Sequence, residues 1–148
     1  MTKYGGITML NKEMLDLLKD FTPAVFATVK DSRPHLAFVS WLIATDEKTI
    51  KVALSKNSAS VNNIKENPNV AISVFGPSIA ATIYGTAKIV KDEIETIPFP
   101  VSVVEVNVES VVDNLFPGAT VKGTIPFEHT GNIQKALELD EKVLNALK

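Results

Sequence analysis

The chain has 148 residues, no cysteine, and 15 Lys+Arg against 17 Asp+Glu, a formal net charge of −2. That length suits one domain, read as 1–148, large enough to bury roughly 70% of the surface its unfolded form exposes. Without cysteine there are no disulfides, thiolate metal sites or cysteine nucleophiles, which fits a reducing, cytoplasmic setting, and the charge balance offers no positive field for a nucleic-acid backbone.

The opening Met1–Gly6 has no apolar stretch of leader length, and the apolar runs elsewhere are strand-sized, so no membrane span is expected. Leu10, Met14, Leu17, Leu18 and Phe21 fall at helical spacing, with Asn11 as a cap and Pro23 just past the end. From Ala24 the composition turns β-branched and aromatic. Residues 24–30 and 35–44 read as strands of a hairpin around Asp31-Ser32-Arg33-Pro34. A turn at 45–48 leads into 49–54, where Ile50, Val52 and Leu54 alternate with more polar residues.

Ser55-Lys56-Asn57-Ser58 then breaks the strand pattern, and Val61 and Ile64 predict a short helix closed by Asn67-Pro68. Strands follow at 69–75 and 79–90, with Gly85 in the second marking a bulge or a close backbone approach. Val101–Val112 reads as a long strand, and 114–131 as an ordered loop carrying Leu115, Phe116, Ile125 and Phe127. Ile133, Ala136, Leu137, Leu144 and Leu147 line a final amphipathic helix that starts at Gly131 or Asn132. The expected fold is mainly β: a six-stranded antiparallel split barrel with Greek-key character, one inserted helix and a helix at each end.

The stretch most suited to chemistry is Leu54 to Asn63, where a strand delivers a hydroxyl-rich turn to a helix start. Unpaired amides and the positive end of the helix dipole favour an anion there. Arg33 is the only arginine, so an anion site relies on lysine, hydroxyls and backbone: Lys56 as a point charge, Ser58 and Ser60 as hydroxyl donors. The other reading of the same residues is a Ser58 helix cap with Lys56 in water. Trp41, the only tryptophan, is either core filler or neighbour to a planar ligand. His35 and His129 are the only histidines and support no metal site, and neighbouring Glu128 and His129 form no acid–base pair.

The order of segments carries a resemblance: Ala27-Thr28-Val29-Lys30, Pro34-His35-Leu36-Ala37-Phe38-Val39-Ser40-Trp41, a third strand, Ser55-Lys56-Asn57-Ser58-Ala59-Ser60, then Asn67-Pro68-Asn69-Val70. From about Leu10 to Val90 the chain resembles the pyridoxamine 5′-phosphate oxidase-like, FMN-binding split-barrel family. The resemblance implies that Ala37, Phe38, Val39, Ser40, Trp41 and Leu42 run beside the isoalloxazine, while Leu54, Ser55, Lys56, Asn57, Ser58, Ser60 and Asn63 surround the ribityl phosphate. It also implies a homodimer with flavin in the cleft between subunits, and FMN-dependent oxidoreduction of a small molecule. Ser58-Ala59-Ser60 replaces the oxidase's Ser-Arg-Lys run, and its carboxy-terminal arginine- and histidine-bearing segment has no counterpart, so oxidation of pyridoxamine phosphate itself is not expected. A deazaflavin in place of FMN, a flavin carrier or sensor without turnover, and a dimeric interaction module with a degenerate flavin site are the alternatives.

Overall fold

The structure is a computed structural model and describes residues 7–148; the opening Met1–Gly6, read above as carrying no leader, lies outside them. Asn11 caps the first helix, α1 (Lys12–Leu18), its side chain accepting from the Met14 amide at 2.9 Å, and Met14 and Leu18 point inward and are buried. Strands β1 (Ala24–Lys30) and β2 (Arg33–Val39) follow. Their turn is only Asp31-Ser32, both at positive φ (50° and 63°), the arrangement of a type I′ hairpin whose twist matches the strands it joins. Arg33 and Pro34 therefore belong to β2 rather than to the turn, and Arg33 stands directly opposite Lys30.

The expected strand at 35–44 is two strands. The chain leaves β2 at Val39, passes Ser40 and Trp41, and starts β3 (Leu42–Asp46). Next come β4 (Thr49–Ser55), helix α2 (Ala59–Glu66), β5 (Asn69–Gly76), β6 (Ile79–Lys91), β7 (Val101–Asp113) and helix α3 (Ile133–Leu147). All pairings are antiparallel, in the order β2-β1-β5-β6-β7-β4-β3, so the sheet has seven strands where six were expected. β4 returns to lie beside β7 instead of β5, which gives the Greek-key character.

β2 and β3 are the two ends of that order, yet Val39 and Leu42 are three residues apart, a span of roughly 10–11 Å at most. A flat sheet of this width cannot meet that limit, so the sheet curls until its edges adjoin. The Thr22 amide, just before β1, reaches the Leu42 carbonyl at 3.3 Å, but among the described residues no ladder joins β2 to β3. The result is an open, curled sheet and not a closed six-stranded barrel.

Inside the curl lies the main core, with Phe26, Ile50, Val52, Ile72, Val74, Ile83, Val104 and Val106 fully buried; Met14 and Leu18 of α1 and Val61 and Ile64 of α2 plug it. A second cluster sits on the other face, where Ile43, Ala53, Val101 and Val103 meet Val143 and Leu147 of α3. β4 is thus buried on both faces, Ile50 and Val52 inward and Ala53 under α3. The α3 expectation holds only in part. Leu147 is buried and Leu144 packs beside it, but Ile133 and Leu137 are more than half exposed.

Gly85 satisfies both halves of its expectation. The β6–β7 register skips Glu109 beside it, and a Cβ there would strike the Asn107 carbonyl oxygen and come within 2.9 Å of Val106 Cγ1. Because the obstacle is backbone, Gly85→Ala should destabilise the fold by about 2 kcal/mol or more. Urea unfolding measures this, and an unchanged midpoint would show that β7 yields freely at that point.

Candidate functional site

β4 ends at Ser55, and the chain turns before α2 begins at Ala59. Ser58 holds extended backbone (φ −72°, ψ 157°) and caps the helix, its Oγ accepting from the Val61 amide at 3.2 Å, while its own N–H donates to the Ser55 carbonyl at 3.0 Å. Both readings of Ser58 thus meet at one place, because the cap uses the hydroxyl and leaves the amides before Val61. Among the described residues, the Ala59 and Ser60 amides have no protein acceptor. Two donors at the positive end of α2 are therefore available to an anion.

Of the side chains expected around that anion, Lys56, Ser58 and Asn63 have protein partners. Lys56 Nζ lies 2.8 Å from Asp92 Oδ2 and 3.8 Å from Glu93 Oε2. Its hydrogen bond to Asp92 raises the Lys56 pKa, opposed by burial and aided by the fields of Asp92 and Glu93, and the same bond lowers that of Asp92. A lowered carboxylate pKa stabilises above its ordinary range and a raised ammonium pKa below its own. The pair is therefore at full strength from about pH 4 to pH 10, and is lost as pH falls through the Asp92 value or rises through that of Lys56. The backbone joins in, with the Lys56 amide donating to the Pro100 carbonyl at 3.1 Å and Ser102 Oγ to the Asp92 carbonyl at 2.6 Å. Lys56 thus pins the turn to the β6–β7 connection, a pairing too distant in sequence for local pattern to show.

Leu54 is buried in the core, while Ser55 and Asn57 are exposed at the turn. Ser60 is 3% exposed, its side chain without a hydrogen-bond partner among the described residues. Asn63 is also buried, and its Nδ2 donates to Thr28 Oγ1 of β1 at 3.0 Å, fixing α2 against the hairpin.

The other half of the expected site is β2. As an outermost strand it pairs only with β1, so alternate residues turn their N–H and C=O outward, a row of donors and acceptors for a flat ligand. Ala37 and Ser40 are half-buried, Val39 is buried, and Phe38 is 54% exposed with its ring edge-on to Phe127 at 5.9 Å. That Phe127 contact, made from the 114–131 loop, is one the sequence did not signal.

Trp41 faces away from this edge. It packs in the second cluster, its Nε1 donates to Asp140 Oδ1 of α3 at 2.8 Å, and its carbonyl accepts from the Ala53 amide at 2.9 Å. His129 approaches the other Asp140 oxygen at 3.7 Å. Trp41 is thus a structural link that ties α3 to the bend between β2 and β3. Among the described residues no cluster of His, Asp and Glu suits a metal ion, and no helix is long and apolar enough to cross a membrane.

A family model described as pyridoxamine 5′-phosphate oxidase matches residues 10–113, from the residue before the Asn11 cap to the end of β7. The chain belongs to the pyridoxamine 5′-phosphate oxidase family. Solved structures agree on the fold. HupZ of Group A Streptococcus is 22% identical with a TM-score of 0.61, over 78% of this chain and 100% of that one. A FAD-binding protein of Mycobacterium smegmatis is 19% identical at 0.54, over 71% and 96%. An F420 reductase is 20% identical at 0.59, over 69% and 98%. No curated protein matches the chain. The family match ends before the 114–131 loop and α3, the segments that supply Phe127 and Asp140.

The Trp41–Asp140 bond makes one expectation direct. Asp140→Ala should cost about 1–2 kcal/mol, a charged hydrogen bond discounted for partial exposure, and should red-shift the emission of the only tryptophan. Fluorescence-detected urea unfolding reads both, and wild-type emission and midpoint would remove the link.

Proposed function

We propose that the protein is an FMN-dependent oxidoreductase acting on a small molecule other than pyridoxamine phosphate, with flavin held between two copies of the chain. The carrying observation is the pair of amides at Ala59 and Ser60, without protein acceptors among the described residues, at the start of α2 in a chain of this family. The ribityl phosphate would lie on those two donors. The backbone of Ala37–Ser40 would orient the ring system, and Phe38 with Phe127 would shield it from water. Electron uptake and release would be supplied by the flavin, and this chain's residues bind, orient and exclude solvent.

The residues present fit a phosphoryl group through backbone more than through side chains, since Ser58 Oγ serves the cap and Lys56 serves Asp92. Support for two copies comes from large apolar side chains left exposed on β2 (Leu36, Phe38), the loop (Phe116, Phe127) and the first half of α3 (Ile133, Leu137). The occupied Lys56 also favours a second reading, a dimeric binding module whose flavin site is weak and does not turn over.

Ala59 is the first residue of α2, where proline is tolerated, and the extended Ser58 before it suits a following proline. Ala59→Pro therefore removes one donor with little harm to the fold. Titration of the purified protein with FMN should give a flavin spectrum, with affinity reduced about tenfold in the variant, as loss of one charge-assisted hydrogen bond requires. Steady-state flux from a nicotinamide donor to an acceptor separates the oxidoreductase from the binding module. Unchanged FMN affinity in Ala59→Pro would remove the phosphate from α2, and no FMN binding at all would end the flavoprotein reading.

A further inference from the structure

Between the β1–β2 hairpin and the exposed side of α2 lies a cavity of about 440 Å³. Its hairpin wall carries Lys30, Arg33 and His35, and its helix wall Ala59, Asn62 and Asn63. Only one carboxylate, Asp31, joins the lining, against a lysine, an arginine and a histidine, all of them hydrogen-bond donors. Among the described residues, no acidic side chain forms an ion pair with Lys30 or Arg33.

Two features make this more than a solvated basic surface. The two-residue turn sets Lys30 and Arg33 directly opposite each other in the ladder, and like charges so placed destabilise a hairpin. An anion between them reverses that cost. Asn63 is 4% exposed, and with Nδ2 turned to Thr28 its carboxamide is fixed in place at the cavity wall. The only arginine of the chain, whose planar fork suits phosphoryl oxygens, stands here and not at the serine-rich turn. The volume falls in the range of small-ligand sites, roughly 300–1,000 Å³, and exceeds what a lone phosphate fills.

We propose that this cavity binds the phosphoryl group of a nucleotide through Lys30, Arg33 and His35, beside the place proposed for the flavin phosphate. The phosphoryl group is that of a free nucleotide or the second one of a flavin dinucleotide reaching past the α2 start, since Ala59 borders both places. Binding of the anion stands on the cavity alone, and only the dinucleotide source rests on the flavin reading.

Calorimetric titration of the full chain with ADP, FMN and FAD, repeated on Lys30→Ala/Arg33→Ala, tests this. Both replaced side chains line an open cavity, and circular dichroism checks that the variant folds. The expected result is ADP binding that falls tenfold or more in the variant while FMN affinity stays within twofold. FAD binding at least tenfold tighter than FMN, with the advantage lost in the variant, assigns the site to a dinucleotide cofactor. Equal FAD and FMN affinities, with ADP binding alongside FMN, assign it to a free nucleotide. If ADP binds through these residues and no flavin binds at all, this site stands and the flavin reading falls. Two results overturn the proposal: ADP that does not bind while FAD equals FMN, or FMN that loses as much as ADP in the variant, which would make the cavity the flavin phosphate's own seat.

Discussion

Ser40 and Trp41 are all that separates the two outermost strands of a seven-stranded sheet, and the shape of the molecule follows from that short tether. Strands at opposite ends of the order must be brought together, so the sheet curls around Phe26, Ile72, Ile83 and Val104. Curling without a β2–β3 ladder leaves the outer edge of β2 with half its backbone groups unpaired. Trp41 then fixes the bend from outside through Asp140 and through the Ala53 amide. The open edge that a planar ligand needs is a product of the same constraint that closes the core.

Helix α2 completes the place proposed for an anion. Its inner face, Val61 and Ile64, belongs to the core, and Asn63 holds it to Thr28, so its first turn is fixed beside the hairpin. Ser58 satisfies the Val61 amide and leaves the two before it, a division set by cap geometry and independent of any ligand. Lys56, which composition nominates as the nearest charge, fastens the turn to Asp92. Beside the first turn of α2, positive charge that is not so engaged comes from the hairpin tip, from Lys30 and Arg33.

Much of this was legible in the residues. The Asn11 cap, the Ser58 cap that stood as one of two readings, the alternation in β7, the close approach at Gly85 and the family resemblance all rest on local chemistry, and each is found. What was not legible depends on contacts between distant segments. The β2–β3 break has no Gly or Pro to mark it, because it is imposed by the far ends of the sheet rather than by local propensity. The Lys56–Asp92 pair, the Trp41–Asp140 bond and the Phe38–Phe127 contact join residues that no spacing rule relates. Arg33 was read as part of a turn. Its place in a strand opposite Lys30 follows from a type I′ turn of only two residues, which Asp-Ser does not announce as Asn-Gly would.

The α2 start is where fold and function meet, and amide-resolved NMR of the labelled chain titrated with FMN tests it most directly. The account predicts that the largest shifts fall on the Ala59 and Ser60 amides, with a second set along Ala37–Ser40 of β2 and its bend. Shifts that leave Ala59 and Ser60 unmoved while other amides respond would contradict it.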